Sequence, residues 1–125
     1  MKNYKHFING QWTDPDTNEW FDTENPYTGK VWAKIAKGNS SDVNRAVTSA
    51  KNAFENVWGI MKPTERGKYL VRLAEIIERE SSRLGELEVK DNGKLLAEMG
   101  SQTKYIAEWY RSVSYTHLRA HETAC

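Results

Sequence analysis

Val31-Trp32-Ala33-Lys34-Ile35-Ala36-Lys37-Gly38-Asn39-Ser40-Ser41-Asp42-Val43-Asn44-Arg45-Ala46-Val47 changes its period in mid-run. The first six residues alternate, with Val31, Ala33 and Ile35 on one face, as in a half-buried strand. Gly38-Asn39 ends that strand. Ser40 and Ser41 then read as N-cap residues, and Asp42 suits a first helical turn, where the backbone dipole is positive. Val43, Ala46, Val47, Ala50, Phe54 and Val57 follow at steps of three and four. They form one apolar face of a helix reaching about Val57. Strand and helix each carry one apolar face that needs a surface to bury against.

Upstream, Tyr4, His6 and Ile8 alternate with Lys5, Phe7 and Asn9. Asn9-Gly10 accepts the positive φ angles of a type I′ turn, and Gln11-Trp12-Thr13 returns, so residues 4 to 13 read as a hairpin. Asp14-Pro15-Asp16-Thr17-Asn18 is a loop by composition. Glu19-Trp20-Phe21-Asp22-Thr23 is a short strand, stopped by Asn25-Pro26 because proline cannot donate to a ladder. Tyr27-Thr28-Gly29-Lys30 turns the chain into Val31.

Downstream, Pro63 stands in a first helical turn, where its missing N–H costs nothing. The helix it opens has Tyr69, Leu70, Leu73, Ile76 and Ile77 on its apolar face. Ser81-Ser82 breaks and recaps it. Leu84, Leu87 and Val89 line a third helix, and Asp91-Asn92-Gly93 is its C-cap and turn. From about Leu95 to Arg111 the pattern is helical again, with Leu96, Met99, Ile106, Trp109 and Tyr110 apolar. Short strands therefore precede helices, without repeats or low-complexity stretches. Such short, polar strands make a poor sheet alone. The helical faces need a surface to bury against, so the chain reads as a piece of a larger fold.

Composition narrows the function classes. The 125 residues make at most one ordinary domain. Charged residues are 28% and mean hydropathy is −0.78. No apolar run approaches the roughly 18 residues of a membrane-spanning helix. Lys+Arg is 18 against Asp+Glu 17, so no basic excess drives binding to nucleic acid or an anionic membrane. Met1 to His6 lacks the apolar run and cleavage site of a secretory leader. A lone cysteine, Cys125, allows no disulfide framework and fits a reducing, cytoplasmic setting.

Residues 112 to 125 change character. The helical pattern of apolar and charged residues stops after Arg111. Val113 to Thr123, read back into codons, resembles the translation of a widely used transposon-type sequencing adapter, with Ser112 its first partly foreign residue. Native sequence is accordingly expected over 1 to 111 and an artefactual tail over 112 to 125. The rival reading is a His117/His121/Cys125 metal cluster at helical spacing; eleven consecutive adapter-like residues outweigh it. Without the tail there is no thiol, and His6 is the one histidine.

Candidate chemistry is sparse. The glycines form neither G-x-G-x-x-G nor G-x-x-x-x-G-K before Ser or Thr, so a nucleotide cradle is absent. Glu75 and Arg79 are an i, i+4 pair on a solvated helix face. His6 has no nearby carboxylate or serine partner in sequence and is expected to be structural. Trp12, Trp20, Trp32, Trp58 and Trp109 are irregularly spaced. They suit anchors of short strands better than a stacking platform. Asp91-Asn92-Gly93-Lys94 offers oxygen ligands to a cation, or simply a helix-terminating turn.

Several segments stand together in order. Phe7-Ile8-Asn9-Gly10-Gln11-Trp12 precedes Thr23-Glu24-Asn25-Pro26-Tyr27-Thr28-Gly29-Lys30-Val31. Ala46-Val47 with Ala50 and Ala53-Phe54, Pro63-Thr64-Glu65-Arg66, Leu73-Ala74-Glu75-Ile76-Ile77-Glu78 and Glu88-Val89-Lys90-Asp91-Asn92-Gly93-Lys94 follow. The series resembles the N-terminal region of the NAD(P)-dependent aldehyde dehydrogenase superfamily, from Tyr4 to about Arg111. The resemblance implies a cofactor-binding α/β domain, a catalytic domain and an oligomerisation arm. This chain would supply only the opening hairpins and outer helices of the first. It implies an oxidoreductase taking an aldehyde to a carboxylic acid with NAD or NADP, usually as a homo-oligomer. In the family a cysteine thiolate attacks the aldehyde, hydride passes to the nicotinamide, and a glutamate-activated water releases the acid. Those residues lie beyond this chain, so no catalytic or cofactor-binding residue is assigned and an inactive fragment is expected. Cys125 matches nothing in the family. One feature maps onto residues present, a monovalent-cation site at Thr23, Glu24 and Asp91. The alternative is a self-contained, tryptophan-bearing binding module without enzymatic activity. Such a module would bury Leu70, Leu73, Ile77 and Trp109 within its own chain, whereas a fragment would expose them.

Overall fold

The computed structural model describes residues 1–119, with side chains through Thr116. The chain divides into two compact units, the first Met1–Ile60 and the second beginning at Met61.

The first unit is built on strands β1 (Lys2–Tyr4), β2 (His6–Ile8), β3 (Gln11–Thr13), β4 (Trp20–Asn25) and β5 (Lys30–Ala36). β2 and β3 form the expected hairpin. Ile8 pairs with Gln11, and Asn9 and Gly10 take φ of 53° and 74°. A type I′ turn requires positive φ at both positions. Tyr4 corrects the reading. It belongs not to the hairpin but to β1, where it pairs in parallel with Ile35. Its ring meets Trp32 edge-on at 5.8 Å, and the pairing satisfies one side of β5. On the other side β4 runs antiparallel, with a bulge at Thr23/Glu24. β4 continues to Asn25, where Pro26 stops it. The Gly29 N–H then donates to the Asn25 carbonyl at 2.8 Å and closes the turn. β5 is thus the central strand of the order β1-β5-β4, and its Ala33 and Ala36 are buried.

Helix α1 spans Ser40–Ala53. Its N-cap is Asn39, not Ser40 or Ser41. The Asn39 side chain accepts the Asp42 N–H while the Asp42 carboxylate accepts the Asn39 N–H, a reciprocal capping box. This arrangement satisfies two orphan donors where a serine would satisfy one. The predicted continuation to Val57 is helical but wider. Phe54–Trp58 is a π-helical turn, closed by the Gly59 N–H on the Phe54 carbonyl at 2.7 Å.

The second unit holds α2 (Pro63–Arg79), α3 (Ser81–Asn92) and α4 (Leu96–Arg119). Pro63 stands in the first turn of α2 as expected. Ser81 and Ser82 do not cap α3; no side chain does. The break is Glu80, whose carboxylate accepts from Arg79 at 3.4 Å and Arg83 at 2.9 Å across the junction. Gly93, at φ 74°, ends α3 in the left-handed conformation that glycine adopts without strain. The pattern break at Arg111 is also corrected: α4 runs on to Arg119, and Ser114 is buried. The backbone tolerates this because residues 112 to 119 contain neither proline nor glycine. The His117 side chain and residues 120 to 125, with His121 and Cys125, lie outside the described residues.

Small residues set the helix spacing. Among the described residues, Gly67 and Ala74 of α2 and Met99, Thr103, Ala107 and Ser114 of α4 are the buried positions of those helices. A Cβ added at Gly85 of α3 would lie 3.3 Å from backbone atoms of Met99 and Gly100, whereas one at Gly100 would meet nothing. Backbone cannot rotate aside. Gly85→Leu is therefore expected to destabilise the fold by about 1–3 kcal/mol through overpacking. Gly100→Ala should be neutral or stabilise by up to about 1 kcal/mol through helix propensity. Urea unfolding of the two variants beside the parent chain checks the pair, and equal losses would refute the close α3–α4 approach.

Candidate functional site

Asp42 is the most heavily used polar group of the first unit. It is only 3% exposed. Its carboxylate accepts the Asp16 N–H at 3.2 Å and the Asn39 N–H at 3.1 Å. It pairs with the Arg45 guanidinium and faces His6 Nε2 at 3.7 Å. The Asn39 amide donates in turn to the Asp16 carboxylate at 3.2 Å. Gly38 makes room for the imidazole; a Cβ there would stand 3.4 Å from His6 Cε1. Burial pushes the Asp42 carboxyl up, but the bonds from the Asn39 backbone, Arg45 and the Asp16 backbone outweigh it and hold it below its ordinary value of 3.8. His6, which has no carboxylate near it in sequence, gains one in space. The recess around the pair, about 200 Å³, is lined by His6, Phe7, Ile8, Gly38, Asp42, Val43 and Ala46. None of these is a nucleophilic hydroxyl or thiol. The cluster is a clasp joining β2, the loop after β3 and the start of α1.

An open groove of about 1010 Å³ lies between the hairpin and α1, with Asn9, Gln11, Thr13, Asn44, Thr48 and Asn52 among its lining residues. Its walls mix those amides and hydroxyls with Arg45 and the apolar Ile8, Ala53 and Val57. No glycine-rich turn enters it, so nothing here cradles a pyrophosphate. These residues do not fit the dinucleotide that the resemblance implies.

The cation residues are divided. Thr23 and Glu24 are neighbours at the bulge of β4, while Asp91 lies in α3 of the second unit. Among the described residues, no group of three or more His, Cys, Asp or Glu side chains could hold a metal ion. Glu75 and Arg79 do not form the expected pair, since Arg79 turns to Glu80. The longer-range bond that sequence spacing missed is Glu78 to Arg111, 2.6 Å, which joins α2 to α4. The Arg111 hydrogen bond and charge lower the Glu78 carboxyl. The Arg83 bond, then that of Arg79, lowers Glu80. Trp12 packs on Phe7 at 4.9 Å and Trp109 on Tyr105 at 6.1 Å, yet both tryptophans are more than 60% exposed.

The apolar faces stay largely open. Val43, Val47, Phe54 and Val57 of α1 and its π turn are each more than half exposed. On α2, Tyr69 is 56% and Leu73 39% exposed, while Leu70 and Ile77 are half-buried. The four residues that a self-contained module would bury are thus not buried. The aldehyde dehydrogenase family model matches residues 12–124. The chain belongs to the aldehyde dehydrogenase family. It is 40% identical over 112 residues to (Z)-2-((N-methylformamido)methylene)-5-hydroxybutyrolactone dehydrogenase of Acinetobacter baylyi, covering 89% of this chain and 22% of that one. It is 44% identical over 90 residues to mitochondrial aldehyde dehydrogenase of Rattus norvegicus, 70% of this chain and 17% of that one. Among solved structures, HpcC from Thermus thermophilus superposes with a TM-score of 0.88 at 32% identity, over 91% of this chain and 22% of that one. Betaine aldehyde dehydrogenase of Staphylococcus aureus, solved with NAD+, gives 0.84 at 28% identity, over 89% and 22%. This aldehyde dehydrogenase chain therefore spans about a fifth of the length of such relatives. Its α/β fold is a part of theirs.

The Asp42 clasp makes a pH-dependent contribution. A carboxyl whose pKa is lower folded than unfolded adds stability above its ordinary value, here 3.8, and loses it as pH falls through the folded-state pKa. Asp42→Asn is expected to lower the thermal midpoint at neutral pH and to shrink the loss of stability on acidification. A variant melting curve parallel to the parent's across that acid range would refute the assignment.

Proposed function

We propose that this chain is the opening part of the cofactor-binding domain of an enzyme that oxidises an aldehyde to a carboxylic acid with NAD+ or NADP+. The full-length parent works as a homo-oligomer. The family match over most of the chain carries the reading. The segment's own contribution is structural. Its hairpin, central strand β5 and helices present apolar faces to be covered by the rest of the domain. A monovalent cation held through Thr23, Glu24 and Asp91 is proposed for the parent, supported by the resemblance and by the α3 turn at Asp91-Asn92-Gly93.

The chain by itself is proposed to be inactive. Residues 1 to 111 contain no cysteine, and their one histidine faces Asp42 in the clasp. The purified 125-residue chain, given short aldehydes with NAD+ or NADP+, is expected to form no reduced nicotinamide, as followed by its absorbance. Turnover that survives Cys125→Ser would reveal an overlooked site.

The segment from Ser112 onward is proposed to be foreign to the parent, on the strength of its likeness to an adapter translation and against the family match, which runs on to residue 124. Hydrogen exchange distinguishes the origins. Amides of residues 112 to 119 are expected to exchange faster than those of α2, whereas equal protection would mark the segment as an integral part of the fold.

A further inference from the structure

The chain contains the dipeptide Asn-Gly twice, at Asn9-Gly10 and Asn92-Gly93, and the two stand in opposite environments. We propose that Asn9-Gly10 is a site of self-modification, at which the Asn9 carboxamide converts to aspartate and isoaspartate with water as the one co-reactant. The Gly10 backbone nitrogen attacks Asn9 Cγ and gives up its proton. The Cγ–Nδ2 bond breaks, ammonia leaves, and a five-membered imide remains. Water then opens either ring carbonyl. Opening at Cγ gives aspartate; opening at the backbone carbonyl reroutes the chain through the side chain and gives isoaspartate. Water enters, ammonia leaves, and nothing is oxidised or reduced.

The reaction needs a free attacking nitrogen, room around it and rotation of the Asn9 backbone. Both residues are exposed. The turn's backbone bonds belong to the Ile8–Gln11 pair on either side, and a two-residue I′ turn leaves its central N–H groups to solvent. Beyond Gly10 and its two chain neighbours, no heavy atom lies within 4 Å of the place a Gly10 Cβ would take. The strands β2 and β3 are three residues each, so few ladder bonds resist rotation. At the second dipeptide the same atoms are committed. The Gly93 N–H donates to the Val89 carbonyl at 2.9 Å, and the Asn92 carboxamide oxygen accepts the Lys94 N–H at 2.9 Å. Asn92 is, besides, the last residue of α3.

Modification would matter locally. Isoaspartate adds a methylene to a turn that admits two residues between Ile8 and Gln11. Either product puts a negative charge on the lip of the hairpin–α1 groove, which Arg45 also lines.

The test is peptide mapping by mass spectrometry of the intact 125-residue chain held at mildly alkaline pH. The peptide carrying Asn9 is expected to gain the mass of an amide-to-acid exchange and to split into two chromatographic forms. It should do so at least about tenfold faster than the peptide carrying Asn92, where two hydrogen bonds must first break. In urea the Asn92 rate should rise to meet that of Asn9. Asn92 reacting as fast as Asn9 in the folded chain would overturn the proposal, as would an Asn9 rate that unfolding raises as much as that of Asn92.

Discussion

A single buried carboxylate holds the first unit together. Asp42 leads α1, but its carboxylate accepts the Asp16 N–H in the loop after β3 and faces His6 of β2 at 3.7 Å. A charged group so little exposed is costly unless it is fully hydrogen-bonded, and here backbone donors and a guanidinium meet that need. Because Asp42 also completes the capping box with Asn39, the direction in which α1 starts and the seat of the hairpin are fixed by the same oxygens. β2 and β3 pair only with each other. An isolated hairpin of this length is marginal in water, so the clasp and the Phe7–Trp12 ring contact do much to define it.

The second unit relies on a different device. Its buried positions are mostly glycine, alanine, serine and threonine, with Met99 the one large side chain fully buried among the described residues. Small residues let helices approach closely, and close backbones multiply dispersion contacts without much apolar area. Thr103 fits this pattern. Its hydroxyl lies 2.6 Å from the Met99 carbonyl and 3.0 Å from that of Ser81, so a polar side chain is satisfied within the α3–α4 contact. The larger apolar residues point elsewhere. Each leucine or isoleucine left in water forgoes about 1.5–3 kcal/mol, against whole-domain stabilities of about 5–15 kcal/mol. The exposed faces of α1 and α2 are therefore a substantial stabilisation that the described residues do not collect.

Local rules made much of this legible. The Asn9-Gly10 turn, the stop at Pro26, Pro63 in a first turn and Gly93 in the left-handed region each follow from one residue's backbone chemistry. The errors came where a second residue, local or distant, decides. Alternation runs unbroken from Tyr4 to Ile8, and only the open side of β5 draws Tyr4 into another sheet. Ser40 and Ser41 are good caps, but Asn39 has Asp42 three residues on, and reciprocity wins. Glu78 finds Arg111 on a different helix, a pairing no spacing rule encodes. The same reasoning separated the functional question. The ordered segments reached the family, whose match runs over residues 12–124, while no spacing within them assigned a catalytic residue.

The buried position of Ser114 illustrates how helical register alone can place a residue. Met99, Thr103, Ala107 and Ser114 are buried along one side of α4, at steps of four, four and seven, the recurrence of a helix of about 3.6 residues per turn. Any sequence that continues α4 without a breaker puts its third residue beyond Arg111 onto that side. The Ser114 carbonyl then faces Gly67 of α2, 3.6 Å from where a Cβ would stand, and its hydroxyl donates back to the Arg111 carbonyl at 2.6 Å. Both contacts involve the backbone and neither requires a side chain chosen for α2. Val113 and Tyr115, the flanking larger residues, remain 46% and 67% exposed. The burial of Ser114 is thus a property of the α4 stripe, set by the residues before Arg111. What extends that stripe needs only to be small at one position and free of proline.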